Sequence, residues 1–586
     1  MNGVFRTLGP LVSFRLLLAV ALIFFQLGLS SSWNQAQEPD FLRHEVQAES
    51  GLPQVFPASG TPKSKLKVFD ATDLPRETQA LVASIQGLVN RETPELYLIL
   101  SRNRIAPLIS ESNQRRQSFD QAWLDWLKEE SFIQSYEKIE SVQQLLQHYN
   151  IRDVVVIDPK LPAGLNIATM LAGVKGMPMA YPDDVERYDL NAAEDTRGRW
   201  KTNIEAYQWA WENLWPEMNH QAIAILSPRI SGHLRDYLVS QKLFTFWVSH
   251  GDYRDDATTD KDLAQFRTML LQMPVNIPVL GYPNGGGPDT GIGEGLGVRM
   301  LSDHAKFLVP TDWHTNLSIW TGWKSKQANF QQPPIEKLTF DPTKRYGAIL
   351  VSDGDNMNLW LDFLPTQRYW RSPLRGQFPI AWTMGPAMLQ LHAPLLDYYY
   401  PSLTSNDSFG CAVSGLGYMY PQHYGEAYGP HQSEILRRYY ALTNHFTQRL
   451  DHRWFWGTII GDKGDQRFQQ ITEELKGMTC ILEGYGRQWW RDKPYTVNEI
   501  PVFHFLNDAV DVSETQDLVE RTLRRQKPQF GIVFIQNWPF DMEKIEALKQ
   551  NLPADIQWVL PEQLADLYLQ STENATTPPE SATSDQ

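Results

Sequence analysis

The sequence predicts an α/β protein: an N-terminal α/β domain with a mostly parallel sheet, followed by a C-terminal (β/α)-barrel-like domain. Three observations carry this. The chain has 586 residues, beyond the size at which one hydrophobic core stops growing. Short apolar runs alternate with helical periodicity along most of its length, the pattern of parallel sheets covered on both faces. From residue 336 onward, about eight such runs follow one another in about 220 residues, the arithmetic of a (β/α)8 barrel, with a distorted seven-stranded barrel as the runner-up.

In order along the chain, residues 1–30 read as a signal peptide or a membrane anchor. Arg6 and Arg15 precede the apolar run "LLLAVALIFFQLGL", whose length fits an h-region better than a full span of roughly 20 residues. The remainder is expected to be exported. Residues 31–64 are polar and proline-containing and read as a linker. The first α/β domain is assigned to 65–335. It opens with "KLKVFDA" as a strand and "PRETQALVASIQGLVNRE" as a helix, and continues through "ELYLILS", "DVVVIDP", "QAIAILS", "FTFWVS", "IPVLGYP" and "FLVPTD". The barrel-like domain is assigned to 336–570, with strands at "YGAILVSDGDN", "FPIAWTMG", "FGCAVSGLGYMYP", "RWFWGTIIGD", "TCILEGYG", "IPVFHFLND", "FGIVFIQNW" and "IQWVLP". Residues 571–586 have no apolar content to bury and read as a disordered tail.

Composition narrows the partners. Lys and Arg number 53 against 68 Asp and Glu, a net charge of −15. That balance argues against nucleic acid and anionic lipid, which need a basic footprint. A membrane contact is expected only through an uncleaved N-terminal anchor. The 20 Trp and 23 Tyr offer flat amphipathic faces that suit sugars as well as large cores. Two cysteines, Cys411 and Cys480, are too few for a disulfide framework and lack zinc spacing, so they read as buried thiols. No cofactor motif stands out. The Gly-rich stretch from Gly281 to Gly297 lacks both the P-loop lysine and dinucleotide spacing. It reads instead as a loop over an interdomain cleft, with Glu294 facing that cleft.

In a barrel, chemistry gathers at the C-terminal strand ends. There the sequence supplies Ser352, Asp353, Gly354, Asp355 and Asn356 after the first barrel strand, then Trp382 after the second. The third offers "SGLGYMYPQHYG", with Tyr418 and Tyr420. Asp462, Glu483, Asn507, Gln536, Asn537 and Trp538 follow the later strands. In the third, Gly415 and Gly417 let a strand bend and Pro421 ends its pairing.

"GLGYMYP" resembles the signature of the GxGYxYP family, a family linked to glycoside hydrolysis. "SIQGLVNRETPELYLI", "RDYLVSQKLFTF", "NLSIW" and "VSDGDNMNLW" resemble its pattern in the same order, over about 65 to 565. The resemblance implies an N-terminal α/β domain, a barrel-like C-terminal domain and a carbohydrate substrate. It supplies no catalytic residues; those are argued from the chain. In "SDGDN", Asp353 and Asp355 form a carboxylate pair able to hold two different proton affinities. The same residues suit a hard cation or the backbone donors of a β–α turn. Glycoside hydrolysis requires a second carboxylate across the pocket, for which Glu483 and Asp462 are the candidates. Trp382, Tyr418, Tyr420, Asn507, Gln536, Asn537, Trp538 and Glu294 are expected to contact substrate. Two further readings stay open: a glycan-binding surface protein without chemistry, and a metal-dependent carbohydrate esterase or deacetylase drawing on His423 or His504.

Overall fold

The computed structural model describes residues 52–100, 119–248, 256–284, 291–458, 464–484, 493–507, 509, 511–526 and 529–576. The N-terminal apolar run lies outside the described residues. So do Asp462, the middle of the Gly-rich stretch (285–290) and the last ten residues of the expected tail. Among the described residues, no helix is long and apolar enough to cross a membrane.

The first half alternates strands and helices as expected, but its strands divide among three separate parallel sheets rather than one. The first contains β1 (Lys65–Asp70), β2 (Leu96–Ile99) and β3 (Ser135–Ile139), in the order β2-β1-β3. The second contains β4 (Asp153–Val156), β5 (Met179–Ala180) and β6 (Asn191–Asp195), in the order β5-β4-β6. The third contains β7 (Ile223–Ile225), β8 (Phe244–Phe246), β9 (Ile277–Gly281) and β10 (Lys306–Pro310), in the order β10-β9-β7-β8. Every ladder in them is parallel. Buried polar groups join the pieces. Gln86 Nε2 donates to Asn316 Oδ1 and Asn90 Nδ2 to Ser318 Oγ at 3.0 Å, tying the first piece to the third.

The second half forms a nine-stranded sheet. Its strands are β11 (Arg345–Val351), β12 (Ile380–Met384), β13 (Asp407–Cys411), β14 (Trp454–Gly457), β15 (Cys480–Glu483), β16 (Tyr495–Val497), β17 (Ile500–His504), β18 (Phe530–Ile535) and β19 (Ile556–Trp558). The sheet curls until its ends meet. Phe505, just past β17, bridges Ile532 of β18, and the Leu506 amide donates to the Ile532 carbonyl at 2.7 Å. Among the described residues, seven parallel strands therefore make the circuit, rather than eight. The last expected run gives only the three-residue β19 beside the start of β11, while β18 pairs along β11 from Tyr346 to Val351. Alternation fixes the inside: Tyr346, Leu350, Trp454, Trp456, Leu482, Phe503, Phe505, Ile532 and Phe534 share one core.

Two stretches depart from the sequence reading. Residues 52–64 carry no regular structure up to the first strand, yet Val55 and Phe56 are buried. Gln390 Oε1 accepts from both of their amides at 3.0 and 3.1 Å, and Phe56 packs edge-on to Phe307. A polar linker gives no reason for that anchoring. At the other end, the final helix runs from Pro561 to Thr576, so it takes in the start of the expected tail.

Candidate active site

β11 ends at Val351, and the next residues turn sharply. Asp353 adopts a left-handed conformation (φ 62°), which Asp tolerates better than most residues. Gly354 then lies so close to β12 that a Cβ there would sit 1.6 Å from the Thr383 carbonyl oxygen. Only glycine fits. Its amide donates to Thr383 Oγ1 at 2.9 Å, and its carbonyl accepts from the Trp360 indole at 2.9 Å. Asn356 caps the following helix α1 (Met357–Asp362), its side chain accepting from the Asn358 amide at 3.1 Å. Asn356 thus serves the backbone of the β–α turn. The two aspartates are placed differently.

Asp355 is buried, and Asp353 is half-buried with its Oδ2 unpartnered. Burial raises the proton affinity of Asp353 to a pKa of about 7, and the Glu294 charge adds to it; hydrogen bonds from Ser352 and Trp538 pull the other way. Asp355 is pushed well above the ordinary carboxylate range, first by burial, then by the charges of Asp353 and Glu294. Two neighbouring carboxyls that cannot both ionise cheaply will share a proton near neutral pH.

The third carboxylate comes from the N-terminal half. Glu294 opens helix α2 (Glu294–Asp303) and is exposed. It accepts a hydrogen bond from the Tyr282 hydroxyl, just past β9. Burial raises the Tyr282 phenol, and Glu294, Asp355 and Asp353 raise it further. The same acidic group therefore surrounds it.

The GxGYxYP segment is a strap rather than a strand. β13 stops at Cys411, and the chain crosses to β10, where Tyr418 and Leu308 exchange backbone hydrogen bonds of 2.7 and 2.9 Å. Gly415 has φ 132°, a conformation other residues avoid. A Cβ on Gly417 would meet the Leu308 carbonyl oxygen at 2.5 Å and Phe307 at 2.7 Å. The glycines thus permit a close crossing between the halves, and the tyrosines line the acidic group. Tyr418 packs against the cores of both halves, with Tyr420 edge-on to it at 5.8 Å. Burial and then the Glu294 charge push the Tyr418 phenol well above its ordinary value.

The structure therefore gathers Asp353, Asp355, Glu294, Tyr418, Tyr420 and Trp538 into one site. Gln536 borders it, its Oε1 accepting from Ser352 Oγ at 2.7 Å. Other sequence candidates lie elsewhere or serve the frame. Glu483 follows Leu482, which faces the interior, so its own side chain takes the opposite face of β15. There it lies 3.0 Å from His504 on β17 and accepts from Tyr495. Trp382 likewise points outward, bonded to Asp407 at 2.9 Å and packed on Trp370. Asn507 staples the closing edge, giving to the Phe534 carbonyl and taking from its amide at 2.9 and 3.0 Å. Asn537 is buried, with Nδ2 donating to the Ser352 carbonyl at 3.3 Å. Sequence reasoning missed Tyr282, although it follows a strand end like the others. Asp312, just past β10 and expected from the sequence to border the interdomain cleft, accepts from Asn358 Nδ2 at 3.1 Å and joins β10 to α1.

The metal-dependent reading finds little support in the histidines. Among the described residues, Asp303, His423 and Glu426 have ligand atoms within 4.8 Å of one another. The Arg299 guanidinium contacts all three at 2.6 to 3.1 Å, taking the place a cation would need. His504 faces Glu483 rather than the aspartate pair.

The comparisons agree with this architecture. Domain models of one family match consecutive stretches: the GxGYxYP first domain at 65–151, the second at 151–218 and the third at 220–322. Each contains one of the three small sheets. The "GxGYxYP putative glycoside hydrolase C-terminal domain" matches 343–569, which holds the curled sheet. A crystal structure of a protein from Bacteroides thetaiotaomicron VPI-5482, described as a putative hydrolase, is similar in fold. Its TM-score is 0.72 at 19% identity, covering 89% of this chain and 98% of that one. No curated protein matches the sequence. With its four domains matched in order and its signature segment strapped across the site, the chain belongs to the GxGYxYP family.

Proposed function

We propose that this protein is a glycoside hydrolase whose working carboxylates are Asp353, Asp355 and Glu294. The observation that carries the reading is the acidic group itself. Two strand-end carboxyls with raised proton affinity stand beside a third, exposed carboxylate held by a tyrosine. Asp353, near mid-titration at neutral pH, suits proton donation to the departing glycosidic oxygen. Glu294, whose negative charge acts on both aspartates, suits the second role, as nucleophile or as base for a water. Asp355, kept neutral by burial, donates a hydrogen bond. Tyr418, Tyr420 and Trp538 offer rings for a sugar to stack on. The family description and the hydrolase neighbour support the reaction class.

The test is turnover and glycan binding on the same variants. Asp353→Asn should lower turnover by about 10²–10⁴ while leaving binding intact, whereas Asp355→Asn, which keeps a hydrogen-bond donor, should lower it less. The wild-type rate should fall on an alkaline limb near pH 7, as Asp353 loses its proton. Full turnover by both variants on a verified substrate would rule the assignment out. A binder without chemistry gives the reverse ranking, with Trp538→Ala abolishing retention of glycan.

A further inference from the structure

A recess lies beyond the carboxyl ends of the β5-β4-β6 sheet and contains none of the residues above. We propose that it binds an acidic oligosaccharide, a sugar chain carrying carboxylates, as a site separate from the carboxylate group. The topology comes first. From β4 the chain passes through helix α3 (Gly164–Lys175) to β5 on one side, then returns to β6 on the other. β4 and β6 are thus neighbours whose connections diverge. Ligands in open parallel sheets occupy the crevice outside the carboxyl ends of strands at such a switch point. A cleft of about 850 Å³ occupies that place, lined by the loops after β4 (Asp158–Pro162) and β6 (Arg197–Asn203).

The chemistry of the lining points to the ligand. Lys160, Arg197 and Lys201 bring three cations to one cleft of a chain whose net charge is −15. Lys160 and Lys201 are exposed, and neither side chain has an ion pair among the described residues. Arg197 is held in place by Asp195, with contacts of 2.7 to 3.1 Å. Asp158, the one acid in the lining, spends its oxygens on the Lys160 and Gly198 amides, each at 2.9 Å, which shapes the two loops. Trp200 shares this lining, half-buried and braced by Trp209 at 5.0 Å. An aromatic ring and ammonium groups in one cleft match a sugar ring bearing carboxylates. A neutral sugar would leave the cations unused, and a small inorganic anion would leave the indole unused.

Calorimetric titration of the full chain with oligogalacturonates, neutral cello-oligosaccharides and inorganic phosphate tests this. We expect the oligogalacturonate to bind, the other two to bind at least tenfold more weakly, and raised salt to weaken the interaction. Lys160→Glu with Lys201→Glu should reduce affinity by about tenfold or more, and Trp200→Ala should do so independently. Asp355→Asn should bind as wild type does, which separates this site from the hydrolase reading. Equal binding of neutral and acidic chains, phosphate binding as tight as the oligogalacturonate, or undiminished binding by the double lysine variant would each overturn the proposal. So would absence of oligogalacturonate binding by the wild-type chain. The lysines are exposed, so the double variant should keep the wild-type melting temperature, and a lost titration then reports the site.

Discussion

Asp353 and Asp355 carry a cost that the fold must bear at neutral pH. In the unfolded chain an aspartate ionises near pH 3.9, whereas folded Asp353 holds its proton to about pH 7. Between those values the native state binds more protons than the unfolded state, so its stability declines as pH rises. Above the folded value the decline levels off. Below pH 4 both states are protonated and the cost vanishes. Asn at this position cannot ionise, and it also removes the charge that raises Asp355. We therefore expect Asp353→Asn to melt with wild type near pH 4 and about 1–4 °C above it at pH 8. Thermal melts across that range check this. A variant less stable at pH 8 would mean that the aspartate serves the turn rather than the chemistry.

At the scale of elements, the strap joining the two halves depends on Gly417. A methyl group there would press on the Leu308 carbonyl oxygen from 2.5 Å, and backbone cannot swing aside as a long side chain can. Gly417→Ala should cost about 1–3 kcal/mol and lower turnover by displacing Tyr418. Gly295→Ala is the control: its nearest neighbour would be the Tyr420 hydroxyl at 4.0 Å, and alanine favours a helix. If Gly417→Ala melts like wild type, the crossing is looser than described. The strap also marks where sequence reading stops. Strands and helices were legible because apolar runs and helical spacing are local signals. "GLGYMYP" follows such a run directly and reads as its continuation, yet it pairs with a strand more than 100 residues earlier. Nothing local announces that partner, nor the split into three sheets. Glu483 failed for another reason. A strand buried on both faces has no visible alternation, so the sequence could not say which side its last residue takes. The turn at Asp353, Gly354 and Asp355 was legible because a glycine between acids at a strand end fits a tight turn, whichever face the strand presents.

At the scale of the whole molecule, the acidic site exists only because both halves contribute to it. Asp353 and Asp355 belong to the curled sheet, while Glu294 and Tyr282 come from the third small sheet and its helix. The halves are therefore coupled electrically as well as by the strap and the Asp312–Asn358 bond. The Glu294 charge raises the proton affinity of Asp353, so removing it must act in the opposite direction. Glu294→Gln should move the titration of Asp353 from about pH 7 toward lower pH. In the proposed mechanism it should also lower turnover by about 10²–10⁴. Because Glu294 is exposed, raised salt should shrink the difference between variant and wild type. Carboxyl-carbon NMR titration of Asp353 reads the shift directly, and the residual rate against pH reads it independently. If turnover falls while the titration stays in place, Glu294 acts on the substrate without tuning the acid. If neither changes, the N-terminal half supports the site mechanically and contributes none of its charge.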